Sequence, residues 1–199
     1  RIRPDAVAAS PYDMVVIDYS RDGSDEGMLR RSEVMRMKVR PAGGKRIVLS
    51  YLSIGEAENY RYYWKERWNW MRWPVWAWFW RVLGDSGLPA WLGPDNEEWH
   101  GNYGVRYWHP GWQRLIFNGP DSYLERIVRA GFDGVYLDKV DEFVDMSREN
   151  PRAREAMTTF VSALAKRARE LSPGFLIVAQ NGEELLTDPG YRAVLDGLG

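Results

Sequence analysis

The chain contains no cysteine. That excludes disulfide scaffolding and thiol catalysis and leaves the redox compartment open. Histidine is scarce, with two residues, His100 and His109. Both sit in polar loops beside glycine or proline, without the spacing of a ligand pair, so they are expected at the surface and no metal site is expected from them. Oxygen ligation of calcium or magnesium by clustered carboxylates stays open as a rival use of acidic residues. No G-x-S-x-G is present, which removes the support for a serine hydrolase. No glycine-rich phosphate loop is present either, and no cofactor is expected. Charge is nearly balanced, 27 basic against 28 acidic residues, so no nucleic-acid partner is implied. No apolar run is long enough to span a membrane and no signal peptide is visible. The chain opens at Arg1 without a methionine, which fits a mature or trimmed form.

Aromatic residues are plentiful, with 11 Trp and 11 Tyr. The 199 residues suffice for one domain spanning the whole chain. Met14 to Tyr19, Arg46 to Ser53, Gly134 to Leu137 and Phe175 to Ala179 are short apolar runs bounded by turn residues, the pattern of buried strands. Leu88 to Gly93 and Tyr103 to Trp108 are further strand-like pieces, and Val194 to Gly197 resembles the opening of another. Between these runs lie helical stretches. Leu124, Ile127 and Val128 mark one, which Gly131 stops in the left-handed position after its last turn. A longer helix carries Ala153, Met157, Phe160, Val161, Leu164, Ala168 and Leu171 on one face, with Asn150 expected as its cap and Pro151 in its first position. Alternation of strand and helix predicts a parallel α/β arrangement. About six strands fall short of the eight of a closed (β/α)8 TIM barrel, so an incomplete barrel lacking its last strands is expected.

From Tyr60 to Trp80 the chain is dense in tryptophan, at Trp64, Trp68, Trp70, Trp73, Trp76, Trp78 and Trp80, and with Phe79 between them both parities are aromatic. Core packing explains some of them. Outward rings suit a sugar-stacking platform first, then a membrane-surface contact, then a partner surface.

Asp18, Glu56, Asp138 and Glu183 each follow the C-terminal end of a predicted strand. In a parallel barrel those ends open on one face. Four carboxylates at one mouth, with tryptophans nearby, point to glycoside hydrolysis, which needs two carboxyl groups flanking the scissile bond. Crowded like charges can hold one of them protonated.

The segments LSYLSIGEAENYRYYW, PAWLGPDNEEWHGNYGVRYWHPGWQRLI, GFDGVYLDKVDEF and VAQNGEELL resemble the polygalactosaminidase-type glycoside hydrolases of family 114 and their bacterial and archaeal relatives. The resemblance runs from Asp18 to about Gly197. It implies a (β/α)8 barrel, endo-hydrolysis of α-1,4-linked galactosamine-containing polysaccharide, and a design similar to domains that trim cationic biofilm exopolysaccharides. An extracellular or cell-envelope location is expected with such a substrate. The family's catalytic pair falls on Asp138, as acid/base, and Glu183, as nucleophile, with Glu184 as the alternative to Glu183. Asp18, Glu56 and Asp141 are then expected to bind amino or hydroxyl groups. Tyr19, Tyr51 and Asn181 are expected to contact sugar, and Trp99 or Trp108 to stack on a ring. The stretch from Trp70 to Trp80 is richer in tryptophan than the family pattern. A barrel that binds carbohydrate without cleaving it is the alternative reading.

Overall fold

A computed structural model describes residues 2–71 and 87–199. The segment holding Trp73, Trp76, Trp78 and Trp80 lies outside the described residues, and so do the expectations placed on it. The strands are β1 (Met14–Ile17), β2 (Ile47–Ser53), β3 (Glu56–Glu58), β4 (Leu92–Asp95), β5 (Asn102–Val105), β6 (Gly134–Asp138), β7 (Leu176–Ala179) and β8 (Gly197–Leu198). Five of them form a parallel sheet in the order β1-β2-β6-β7-β8. This sheet stays open: among the described residues β1 and β8 are its edges, and the expected incomplete barrel is what is observed.

The expectation for the other strand-like pieces is corrected. Those around Leu92 and Tyr103 do not join the parallel sheet. They make a separate antiparallel sheet, β3-β5-β4, with β3 following directly on β2. The physical reason is connection length. Only Asn96 to Gly101 separates β4 from β5, enough for a hairpin and far too little for a parallel crossover.

Register divides the parallel sheet into two faces. Val48, Leu52, Val135, Leu137, Ile177 and Ala179 share one face, are fully buried, and join one core with Leu124, Ile127, Phe160 and Leu164 of the helices. The opposite face carries Met14, Val16, Ile47, Tyr51 and Tyr136, of which Met14, Val16 and Ile47 are exposed. That face would line a closed barrel.

Local chemistry sets the helix ends. The helix Tyr123–Ala130 starts at Ser122, whose hydroxyl accepts from the Glu125 N–H, and stops at Gly131 with φ of 90°. The long helix is Ala153–Leu171. It begins three residues beyond its expected cap, because the Asn150 side chain accepts from the Arg152 N–H and closes a turn instead. Asp188 caps Pro189–Val194 through the N–H groups of Gly190 and Tyr191.

Candidate active site

Pairing of Ile17 with Ser50, Ser53 with Asp138, and Leu137 with Ala179 aligns the C-terminal ends of β1, β2, β6 and β7. Asp138 is the last residue of β6 and is half-buried. It shares a sheet face with Tyr51, whose hydroxyl donates to Asp138 Oδ2 at 2.6 Å. The other carboxylate oxygen, Oδ1, accepts from the Lys139 N–H at 2.8 Å. Lys139 itself lies in the left-handed region, at φ of 60°, which few side chains adopt. Asn181, just past β7, clamps the next turn: its Oδ1 accepts from the Val140 N–H at 3.1 Å and its Nδ2 donates to Asp141 Oδ1 at 2.9 Å. Burial raises the Asp141 carboxyl, with Lys139 opposing.

Behind Tyr51 lies a buried ionic knot. The Arg61 side chain is fully buried. Its Nε donates to Glu58 Oε2 at 2.6 Å, and its other arm is paired with Asp18. The rings of Tyr60, Tyr123 and Tyr51 surround the guanidinium, with centroids at 4.8, 5.6 and 5.9 Å. Burial raises the Glu58 carboxyl against the pull of Arg61. Burial, then Glu58 and the bond to Asp138, hold Tyr51 far above the usual tyrosine range, so it remains a donor.

A second cluster flanks the turn after Asp138. Lys139 Nζ lies 3.1 Å from Glu56 and 3.2 Å from Glu142, both almost fully buried. Asn96 Nδ2 donates to Glu56 at 2.7 Å. Burial pushes the Glu142 carboxyl up to about 7, with Lys139 opposing. Desolvation would lower Lys139, yet its two carboxylates carry it above the ordinary lysine range. Beside them is an open cavity of about 310 Å3, lined also by Asp95, Asp145 and Glu149.

The structure therefore brings Asp138, Tyr51, Asp141 and Asn181 together, with Asp18 and Glu56 one layer out and committed to cations. Tyr19 is fully buried against Tyr123, ring centroids 4.8 Å apart, and its hydroxyl donates to the Gly23 carbonyl. Glu183 and Glu184 are exposed, in the turn Glu183–Thr187. Tyr191, fully buried in the helix Pro189–Val194, is pushed up to about 12 by burial and then by the charge of Glu183. Trp99 is 68% exposed. Trp108 borders a different cavity, with Gln113 and the start of the long helix.

Sequence reasoning passed over Arg61, Glu58, Lys139 and Glu142. The local signals were the Glu58–Arg61 and Lys139–Glu142 spacings of three residues, and the further partners Asp18, Tyr123 and Glu56 are remote in the chain. Among the described residues, no group of three or more histidine, aspartate or glutamate side chains is arranged to hold a metal ion. No described helix is long and apolar enough to cross a membrane.

A parallel α/β sheet with a carboxylate at a strand's C-terminal tip is the class of an incomplete barrel, a fold whose sites lie at that edge. The model of glycoside-hydrolase family GH114 matches residues 5–194, and the chain belongs to that family. It is 39% identical over 186 residues to the uncharacterized protein MJ1477 of Methanocaldococcus jannaschii, covering 92% of this chain and 47% of that protein. An uncharacterized protein of Thermotoga maritima is 36% identical over 195 residues, 96% of this chain and 53% of its own length. The chain thus spans about half the length of the curated relatives it matches. Among solved structures it is similar to the glycoside hydrolase domain of PelA from Pseudomonas aeruginosa, with a TM-score of 0.64 and 18% identity, covering all of this chain and 62% of that one. That likeness supports the fold.

Proposed function

We propose that this chain supplies the catalytic face of an endo-acting glycoside hydrolase that cleaves α-1,4-linked, galactosamine-containing polysaccharide with Asp138 and Glu183. The observation that carries the reading is the setting of Asp138: a strand-tip carboxylate with one oxygen fixed by Tyr51 and the other by its own loop. Family membership supplies the reaction class, and the similarly folded PelA domain is itself a glycoside hydrolase domain.

The two hydrogen bonds arrange Asp138 as an acceptor, which favours it as the nucleophile and leaves Glu183 as the acid. This order reverses the one expected from the sequence. In the first step an Asp138 oxygen bonds to the anomeric carbon while the glycosidic oxygen leaves with the Glu183 proton. In the second, water attacks the same carbon, Glu183 takes its proton, and Asp138 is released. The anomeric configuration is retained. Glu56, Asp95, Glu142, Asp145 and Glu149 line the adjoining cavity and outnumber its cations, the lining Arg148 and the paired Lys139 and Arg106, a balance that suits a substrate bearing ammonium groups. Such a substrate favours action outside the cytoplasm or at the cell envelope.

The test is product analysis by mass spectrometry after incubation with partially deacetylated α-1,4-galactosaminan, with neutral α-1,4-glucan alongside. Oligosaccharides from the first polymer alone are expected; none from either would reject the reading. One observation favours the alternative of carbohydrate binding without cleavage: Glu183 is exposed, in the short 3-10 turn Glu183–Thr187, whereas Asp138 is half-buried at its strand tip. Affinity for the polymer without turnover would select it.

A further inference from the structure

Trp108 sits on the wall of an open cavity of about 350 Å3 that shares no lining residue with the mouth around Asp138. The ring is rigidly placed. Its neighbour Tyr107 is fully buried, donates its hydroxyl to the Ala153 carbonyl at 2.9 Å and packs on Phe160. Trp108 then stands edge-on to Tyr107, with centroids 5.1 Å apart. Facing it are polar side chains from the first turns of the long helix, Arg152, Glu155 and Thr159, with Asn150 and Gln113 at the ends. Arg152 and Glu155 bond each other at 2.9 and 2.6 Å with both side chains exposed. An exposed pair of that kind contributes little to stability and is free to exchange partners.

A flat, half-exposed indole opposite several hydrogen-bonding groups matches a sugar ring, which has an apolar C–H face and a polar rim. The position matters as well. The acidic cavity beside Lys139 ends at Glu149 and the Trp108 cavity begins at Asn150, so the two meet at consecutive residues. A polymer crossing from one cavity to the other would pass from acidic side chains to an aromatic ring.

We propose that the Trp108 cavity is a second carbohydrate-binding site, a distal subsite that holds the far end of a polysaccharide whose near end lies in the mouth. The inference rests on the reading of the chain as a polysaccharide-binding protein and does not require turnover. Glu155 would accept from an ammonium or hydroxyl group, Arg152 would donate to ring hydroxyls, and Trp108 would stack.

The experiment measures affinity for partially deacetylated α-1,4-galactosaminan by gel electrophoresis in polymer-containing gels, using the protein with Asp138→Asn so that the polymer stays intact. Trp108→Ala is expected to weaken polymer binding about tenfold. In the active protein it is expected to lower the ratio of turnover on polymer to turnover on a trimer by a similar factor. Thr159→Arg is the second variant. It fills the cavity from an exposed helix position, leaves the Trp108 packing intact, and is expected to weaken polymer binding as well. Unchanged polymer affinity in Thr159→Arg, or in a folded Trp108→Ala, overturns the proposal, and so does a wild-type chain that does not bind the polymer. Retained affinity without any turnover would remove the hydrolytic reading and leave this site standing.

Discussion

Tyr51 and Asp138 lie on neighbouring parallel strands, two register positions apart, and are joined by a 2.6 Å hydrogen bond from phenol to carboxylate. Tyrosine at the level of Tyr136 can reach the strand tip because its side chain is long enough to span both positions. If Asp138 is the nucleophile, this bond fixes its orientation. Hydrogen bonds to charged groups contribute about 1.5–3 kcal/mol, so Tyr51→Phe is expected to lower kcat by about 10- to 100-fold. An unchanged kcat in steady-state assays would remove Tyr51 from the machinery.

Arg61 is expected to be a stability residue. Replacing it by Met leaves Glu58 almost fully buried with no cation, at a cost of about 3–5 kcal/mol. Arg61→Lys should recover only a fraction, because a point charge cannot reach both Glu58 and Asp18 as the guanidinium fork does. Urea titration of the three proteins distinguishes these outcomes. A Lys variant as stable as the wild type would contradict the forked geometry.

Stability should fall with rising pH through Glu142. Its carboxyl is raised from 4.5 to about 7 in the folded chain, so the folded state holds that proton longer than the unfolded state. The contribution is complete below pH 4.5 and is lost as pH rises through about 7, amounting to about 3 kcal/mol. Glu142→Gln is expected to flatten the change in melting temperature over that window and to raise stability above it. A variant with the wild-type pH slope would show that Glu142 titrates normally.

Gly55 permits the turn that carries Asp138 to pack against the end of β2. An added Cβ would sit 2.2 Å from the Lys139 carbonyl oxygen and 2.5 Å from the Glu142 Cβ. Gly55→Ala is therefore expected to cost about 1–3 kcal/mol in chemical denaturation. It should also displace Lys139, and with it the N–H that Asp138 accepts. Wild-type stability in this variant would argue against so close an approach.

How far the sequence discloses these features depends on the range of the forces involved. The parallel strands were legible because near-continuous apolar runs such as VVI, GVYL and LIVA, bounded by turn residues, are too short for helices and bury at least one face against the helices. Asp138 was legible for the same reason, since it ends such a run. Glu56 was expected just past the end of a strand. It instead opens β3, which pairs with β5, and its buried carboxylate and that of Glu58 are matched by Lys139 and Arg61, the former remote in the chain. Tyr19 looked like a site residue from its place after a strand. Its ring instead completes the packing around Tyr123 and Tyr62, contacts that local spacing does not encode. Trp108 was named among the residues expected to stack on sugar, whereas the cavity it borders is completed by Asn150, Arg152, Glu155 and Thr159, which are remote from it in the chain.

The most direct measurement is reducing-end release from partially deacetylated α-1,4-galactosaminan by the wild type, Asp138→Asn and Glu183→Gln, with folding of each verified by circular dichroism. Both variants are expected to lose activity by about a thousandfold or more, as removal of a nucleophile or a general acid requires. Turnover close to wild type in either folded variant would contradict the two-carboxylate account.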